Sequence, residues 1–191
     1  MTQVDALIER WRQGDERAAE LLYNTHQGRA YRLAYGLLGH AADAEEAAQD
    51  ALTYALVNIH RYDARRASFS TWLHTITVSR CRDKRRRKLL PCLSLTAWLQ
   101  KGMDVADPNP DPEGETAVSE IRSQVWQAVQ SLPPPYREAI VLRYWAGHTY
   151  REMSVILKCP VPTAQSRVRL AFKQLRAVLE PADLAVLEQQ L

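Results

Sequence analysis

Apolar residues recur along this chain at spacings of three and four, the period of a helix with one buried face, and no stretch sustains the alternation of a strand. Val4, Leu7, Ile8 and Trp11 make a first stripe, ended by Gly14-Asp15. Ala18 to about Leu38 predicts a longer helix offering Leu21, Leu22, Tyr31, Leu33, Ala34 and Leu37 to a core, with Gly39 as its stop. Asp43, followed three residues on by Glu46, predicts the cap of a third helix that runs to about Ile59 and buries Ala48, Ala51, Leu52, Ala55 and Leu56. The loop His60 to Ser68 leads into a fourth helix, capped at Ser70 or nearby, that contains Trp72, Leu73 and Ile76. Further on, Val118, Ile121, Val125, Val129 and Leu132 form a stripe that stops at Pro133-Pro134-Pro135, and Tyr136 to Trp145 predicts a helix closed by Gly147.

The most specific local signal comes next. Thr149-Tyr150-Arg151-Glu152 reads as a capping box, in which the Thr149 hydroxyl and the Glu152 carboxylate each satisfy a free backbone N–H of the other. The helix it opens should reach about Leu157, because Pro160 cannot donate and drives Cys159 out of the helical region. A second helix should start near Pro162, since proline is tolerated at the first helical position. Two helices across a tight break predict a helix-turn-helix. In the second of them Val168, Ala171, Phe172, Leu175 and Leu179 share the core face, while Gln165, Ser166, Arg169, Lys173 and Arg176 lie opposite. No acidic residue occurs between Glu152 and Glu180, so that outer face is purely cationic and suits the DNA major groove.

Everything so far is helical, and only seven glycines are spread over 191 residues, so the expected class is all-α. Between the two helical blocks, Asp104 to Glu120 (DVADPNPDPEGETAVSE) is rich in proline and acid and has no basic residue, the composition of a flexible joint. The expected organisation is a first domain over 1–90, a linker over 91–116, a four-helix unit ending in the helix-turn-helix over 117–180, and a tail over 181–191. Leu93, Leu95, Trp98 and Leu99 offer a short apolar segment before the acidic stretch, and Leu184, Leu187 and Leu191 a stripe in the tail.

A net charge of +3 matters only where it is concentrated. The fourth helix ends in Arg80-Cys81-Arg82-Asp83-Lys84-Arg85-Arg86-Arg87-Lys88, seven cations against one acid. Tyr62, Phe69 and Trp72 lie just upstream, and cations beside exposed aromatic rings fit a nucleic-acid surface, where phosphates meet charge and unstacked bases meet rings. Membrane binding and a solvated helix end are the alternatives, and Phe69 itself reads better as core. Cys81, Cys92 and Cys159 are scattered and odd in number, which argues against a disulfide framework and fits a reducing cytoplasm. No Cys/His pair has zinc-ligand spacing, and His26, His40, His60, His74 and His148 are dispersed. With no phosphate loop, catalytic carboxylate pair or nucleophile elbow, the expectation is a protein that is not an enzyme and needs no cofactor. Met1 to Arg12 lacks the basic start and apolar block of a signal peptide, and no apolar run is long enough to insert in a bilayer.

Both blocks together resemble an extracytoplasmic-function sigma factor, the small two-domain class of bacterial promoter-specificity subunits. Asp43-Ala44-Glu45-Glu46-Ala47-Ala48-Gln49-Asp50 is similar to that family's polymerase-binding helix. Phe69-Ser70-Thr71-Trp72-Leu73, Ile76, and Asp83 with the basic run are similar to its promoter-melting segment. Leu132-Pro133, Tyr136-Arg137-Glu138, Leu142-Arg143-Tyr144, Gly147, Tyr150, Glu152, Pro160-Val161, Thr163 and Ser166-Arg167 match its fourth region. The family usually has glycine where Pro162 stands, a larger aliphatic residue at Ala164, arginine at Leu170 or Phe172, and in many members asparagine at Ser79.

The resemblance implies a protein that binds core RNA polymerase, through its β′ clamp and β flap, and directs it to promoters. Asp43, Glu46, Gln49 and Asp50 would face the clamp, with an N-cap role equally open for Asp43. Tyr62, Arg65, Arg66, Trp72 and Ser79, with Arg80, Arg82, Lys84 and Arg86 on the backbone, would hold the separated strand of the downstream (−10) element. Gln165, Ser166 and Arg169 would read base edges of the upstream (−35) duplex, and Thr163, Arg167 and Lys173 would hold its phosphates. The joint, at no more than about 3.3–3.6 Å per residue, covers two turns of DNA, roughly 70 Å, and its acidity suits the cationic RNA path of the polymerase. An anti-sigma partner is a family-level expectation. The rivals are a stand-alone helix-turn-helix regulator and an adaptor built of two helical modules.

Overall fold

The structure, a computed structural model, describes residues 2–89 and 117–179, and these form helices and short connections with no strand among them. The helices are α1 (Gln3–Arg12), α2 (Glu16–Leu38), α3 (Ala41–Val57), α4 (Phe69–Leu89), α5 (Ala117–Ser131), α6 (Pro134–Ile140), α7 (Tyr150–Leu157) and α8 (Val161–Leu175). The linker, the Leu93–Leu99 apolar segment and the tail expected from the sequence lie outside the described residues.

In the first domain α2, α3 and α4 pack on one another, and α1 covers α2. Ala44, Ala47, Ala48, Ala51 and Ala55 line one face of α3, all of them buried, so the backbones approach closely while Leu22, Leu33, Leu37, Leu52 and Leu73 fill the core. Each such leucine contributes about 1.5–3 kcal/mol relative to an exposed one. Polar ends fasten α1 to the end of α3 and to the short 3-10 turn Ile59–Arg61 that follows it: the Trp11 indole N–H donates to Leu56 O at 2.9 Å, and Arg12 donates to Ile59 O at 3.2 Å and to Tyr62 O at 2.6 Å.

Local chemistry shifts three expected positions. His40, not Asp43, caps α3: its Nδ1 accepts from the Asp43 N–H at 3.4 Å, leaving Asp43 in the first turn, where a carboxylate favours the helix dipole. Ser68, not Ser70, closes the start of α4, its hydroxyl accepting from the Thr71 N–H at 3.2 Å. Leu21 is 49% exposed, so the α2 stripe is carried by Ala18, Leu22, Ala30, Leu33, Ala34 and Leu37.

The second domain is built from α5 to α8 around Val129, Leu132, Ile140, Leu142, Met153, Ile156, Val168 and Leu175, all buried. Pro134 opens α6, and the chain then widens from α-helix to a single π-helical turn over Val141–Trp145 before Gly147, at φ +69°, lets it reverse. The sequence pattern treats this stretch as one uniform helix; the π turn is a departure that periodicity does not reveal.

The two domains also pack against each other. Trp126 of α5 stacks between Tyr35 of α2 (4.7 Å) and Trp145 (5.3 Å), while Gln130 and Arg137 donate to the Gly36 and Leu37 carbonyls at 2.9 and 3.2 Å. On the neighbouring face, α4 lies along α7. The sequence predicts two domains on a joint; their close docking is a finding of the structure.

Candidate nucleic-acid interface

The helix-turn-helix forms as its sequence dictates. The Glu152 N–H donates to the Thr149 hydroxyl at 3.3 Å, and the Thr149 N–H donates back to the Glu152 carboxylate at 2.9 Å. Lys158 ends α7 in the left-handed region at φ +52°, the one non-glycine with positive φ among the described residues. Pro160 and Pro162 then set the first turn of α8, where neither lacks a hydrogen bond the helix needs. Three further contacts hold the two helices to the preceding segment: Arg143 sits over the Tyr150 ring at 5.1 Å and donates to His148 O, and Phe172 meets Tyr144 edge-on at 5.2 Å.

Helix α8 buries Ala164, Val168, Ala171 and Leu175 and leaves the opposite face to solvent. Gln165, Arg169 and Lys173 are exposed on it, and Thr163, Ser166 and Arg167 are half-buried at its start. Pro135, Tyr136 and Pro162 join Thr163, Ser166 and Arg167 around an open groove beside that start, so the helix N-terminus and its cations share one concave surface. None of these cations is ion-paired within the described residues. An unpaired cationic face with aligned backbone N–H groups can hold phosphates and place side chains at base edges.

The cations of the first domain are arranged otherwise. Arg65 and Arg66 are almost fully solvated and lean on Asp63, at 3.1 and 3.7 Å, in the loop before α4. Ser79 is exposed on α4, and Arg80 lies over the Tyr54 ring at 5.0 Å. Arg86 is exposed and pairs with Asp83 at 3.0 Å. Lys84 is nearly covered, reaching Asp43 at 3.4 Å and pairing with Glu46, while Lys88 also meets Asp43. Thus two expected clamp residues and one expected DNA residue are partners of one another: burial opposes ionisation of Asp43, but the two lysines outweigh it and hold its carboxyl below the usual range. Gln49 and Asp50 stay exposed on α3.

Tyr62 requires a correction. Expected as an exposed ring, it is 5% exposed and meets Phe69 edge-on at 5.6 Å and Trp72 at 5.5 Å. Its apolar body completes the core between α1 and α4, because the loop it sits in folds back under Arg12. Phe69 is core as expected, 3% exposed, and of the three rings only Trp72 keeps an accessible face.

Sequence reasoning missed a polar seam along α4. Thr71, His74, Arg82 and Arg85 fall on one stripe at helical spacing and all meet the second domain. Arg82 forks onto Glu138 of α6 at 3.1 and 2.6 Å, and Arg85 donates to the same carboxylate at 2.7 Å. Glu138 is 3% exposed; burial opposes its ionisation, but the two arginines more than compensate and hold it below its ordinary pKa. His74 Nδ1 and His148 Nε2 are 2.6 Å apart, and burial, then the His148 charge, push His74 down to about 3. The one available signal in the sequence was that Arg82 and Arg85 share a face three residues apart; nothing in it pairs them with residue 138.

A helix-turn-helix with an unpaired cationic recognition face, beside a second helical domain whose basic helix starts at an aromatic cluster, defines a two-part DNA-binding protein. The sigma-70 region 2 model matches residues 22–89 and the sigma-70 region 4 model matches residues 122–175. The chain is 31% identical to the ECF RNA polymerase sigma factor SigW of Bacillus subtilis over 177 residues, covering 90% of this chain and 94% of that protein. It is 29% identical to the RNA polymerase sigma-H factor of Pseudomonas aeruginosa over 186 residues, covering 94% and 95%. Its fold is similar to that of RpoE in complex with the anti-sigma factor NepR from Bartonella quintana (TM-score 0.65, 20% identity, 83% of this chain and 94% of that one). It is also similar to CnrH in complex with the cytosolic domain of CnrY (TM-score 0.63, 22% identity, 90% and 94%). The protein belongs to the extracytoplasmic-function group of the sigma-70 family, and as an alternative sigma factor it directs transcription initiation.

Proposed function

We propose that the two domains, 1–90 and 117–180, divide the promoter between them, one holding duplex and the other a separated strand, while the catalysis belongs to the polymerase. The observation that carries this reading is the contrast in their cations. The α8 face is unpaired and accessible, as a duplex-reading helix requires. The α4 cations lie along a helix whose first turn carries Trp72, the ring with a free face. Gln165, Ser166 and Arg169 read base edges, where a good bidentate pair discriminates by about 1–3 kcal/mol. Thr163, Arg167 and Lys173 fix register on phosphates. Trp72 stacks an extruded base, with Ser79 beside it on the same helix; Tyr62 supports the Trp72 ring from within. Arg65, Arg66, Arg80, Arg82 and Arg86 hold the strand backbone. Gln49 and Asp50 meet the polymerase clamp, while Asp43 and Glu46 position Lys84 as much as they face a partner.

An anti-sigma protein is the expected inhibitor; RpoE with NepR and CnrH with CnrY, whose folds are similar, are complexes of that kind. Action in the cytoplasm, at the nucleoid, follows from the same reading. Among the described residues no helix is long and apolar enough to cross a membrane, and no group of His, Cys, Asp and Glu is arranged to hold a metal. A stand-alone regulator would leave Trp72 and the α4 cations without a task. The test is in vitro transcription with core polymerase on genomic DNA fragments, followed by mapping of start sites. Defined start sites that vanish without this protein are expected; start sites unchanged by its addition would reject the proposal.

A further inference from the structure

Helix α8 carries one large apolar side chain that the domain leaves uncovered. Leu170 is 36% exposed, on the side of the helix away from buried Ala164, Val168, Ala171 and Leu175. A single exposed leucine is ordinary, but this one has apolar company. It shares the open groove at the start of α8 with Pro133, Pro135, Tyr136 and Pro162, and of these only Tyr136 is half-buried, the prolines being exposed. Apolar side chains from the start of α6 and from α8 thus meet at one concavity that folding leaves wet and a ligand can dry.

The rest of the groove says what that ligand is. Thr163, Ser166 and Arg167 complete the lining, so the groove is continuous with the cationic recognition face, and no acidic residue lines it. Leu170 follows Ser166 by one helical turn and precedes Lys173 by another, which puts it in the same row of side chains. An occupant that suits this surface combines a small apolar group with surrounding negative charge. A DNA duplex does so at the C5-methyl of thymine, the apolar group on the base edges of the major groove, flanked by phosphates.

We propose that Leu170, with Pro162 and Tyr136 beside it, reads one thymine of the upstream duplex through its C5-methyl, as a specificity-determining residue alongside Ser166 and Arg169. The proposal rests on the reading of α8 as the duplex-binding helix. The two kinds of readout complement each other. Arg169 selects a base by the acceptors it offers, whereas Leu170 rejects a base whose polar groups it would dry without pairing. Cytosine is the case that matters: it lacks the methyl, and its N4 amine would lose water against leucine and gain no partner.

Uracil tests this, because it is thymine without the methyl and pairs with adenine in the same way. A pool of DNA duplexes randomised over one helical turn is made once with thymine and once with uracil. Each is enriched on the full-length protein bound to core polymerase, with core polymerase alone as the background. The thymine pool should yield a motif in which one position is held as thymine, and the uracil pool should lose the preference at that position. In a matched pair of motif duplexes, uracil there should weaken wild-type binding about four-fold, the worth of one buried methyl group. Leu170→Ala should bind the two duplexes alike, and Leu170→Met, still apolar, should keep the difference. Alanine and methionine both favour a helix, so α8 stays intact in each variant. Arg169→Ala should relax a different position and still tell thymine from uracil at this one.

A wild type indifferent to uracil at every thymine of the motif, or a Leu170→Ala protein that still discriminates, would overturn the methyl assignment while normal start-site selection leaves the functional reading intact. A wild type indifferent to uracil whose binding to both duplexes Leu170→Ala weakens alike would assign the groove to a protein surface instead. A loss with uracil that depends on Leu170, in a protein that confers no start-site selection, would leave the methyl contact standing and remove the functional reading. No enriched motif at all would reject both.

Discussion

Individual side chains on α8 divide by what they can touch. Arg169 is exposed in the middle of the outward face, where a guanidinium can pair with two acceptors on one guanine edge. Lys173, one turn further on, is a point charge suited to a phosphate. Arg169→Ala should therefore relax preference at one promoter position, at a cost of about 1–3 kcal/mol for the preferred base. Lys173→Ala should weaken all sites alike and lower the salt slope by about one. Binding measured on a set of single-base promoter variants at several salt concentrations separates them; equal loss on every variant for Arg169→Ala would remove it from base readout. The recognition-face residues were legible in the sequence because a cationic stripe opposite an apolar one needs only helical period to be seen. Tyr62 was not, because whether an aromatic in a loop turns outward or inward depends on which helix the loop folds against, here α1 through Arg12.

At the level of elements, caps and breaks decide where each helix starts. The Thr149–Glu152 box sets the entry of α7, and α7 in turn holds α8 at its angle. Thr149→Ala should cost about 1 kcal/mol of stability in denaturant unfolding, within the usual range of about 0.5–2 kcal/mol for a lost cap, and should weaken promoter binding by loosening the turn. Leu175 is fully buried beneath the same helix, so Leu175→Ala should cost about 2–5 kcal/mol, seen as a fall in denaturation midpoint. A smaller effect from Leu175 than from Thr149 would contradict this packing. The capping box was readable because both partners lie three residues apart. The cap of α3 was misplaced by three residues, and that of α4 was placed only to the neighbourhood of Ser70, because several Ser, Asp and His side chains compete there and only the approach of the preceding loop selects His40 and Ser68.

For the whole molecule, the contact between domains makes stability depend on pH. His74 is held neutral, down to about 3, by burial, then by His148, with His26 and Arg29 of α2 acting the same way and Glu152 of α7 opposing. His148 is lowered as well, by burial against the pull of Glu152. Both folded-state values lie below the unfolded 6.5, so the unfolded chain binds more protons and stability must fall as pH drops below about 6.5. Glu138 adds its own loss only below its unfolded 4.5. Thermal unfolding should thus show a lower midpoint at pH 5 than at pH 7.5, and His74→Asn should flatten that difference; an unchanged difference would place the proton elsewhere. The sequence alone determined the all-α class, the two helical blocks and the cationic recognition helix, because each depends on contacts within a few residues or on the period of one helix. Only the tertiary structure decided that Glu138 meets Arg82 and Arg85, that His74 faces His148 and that Gly36 makes room for Trp145. Those partners are more than fifty residues apart, and no local pattern records which surfaces of two amphipathic blocks will come to share a buried charge.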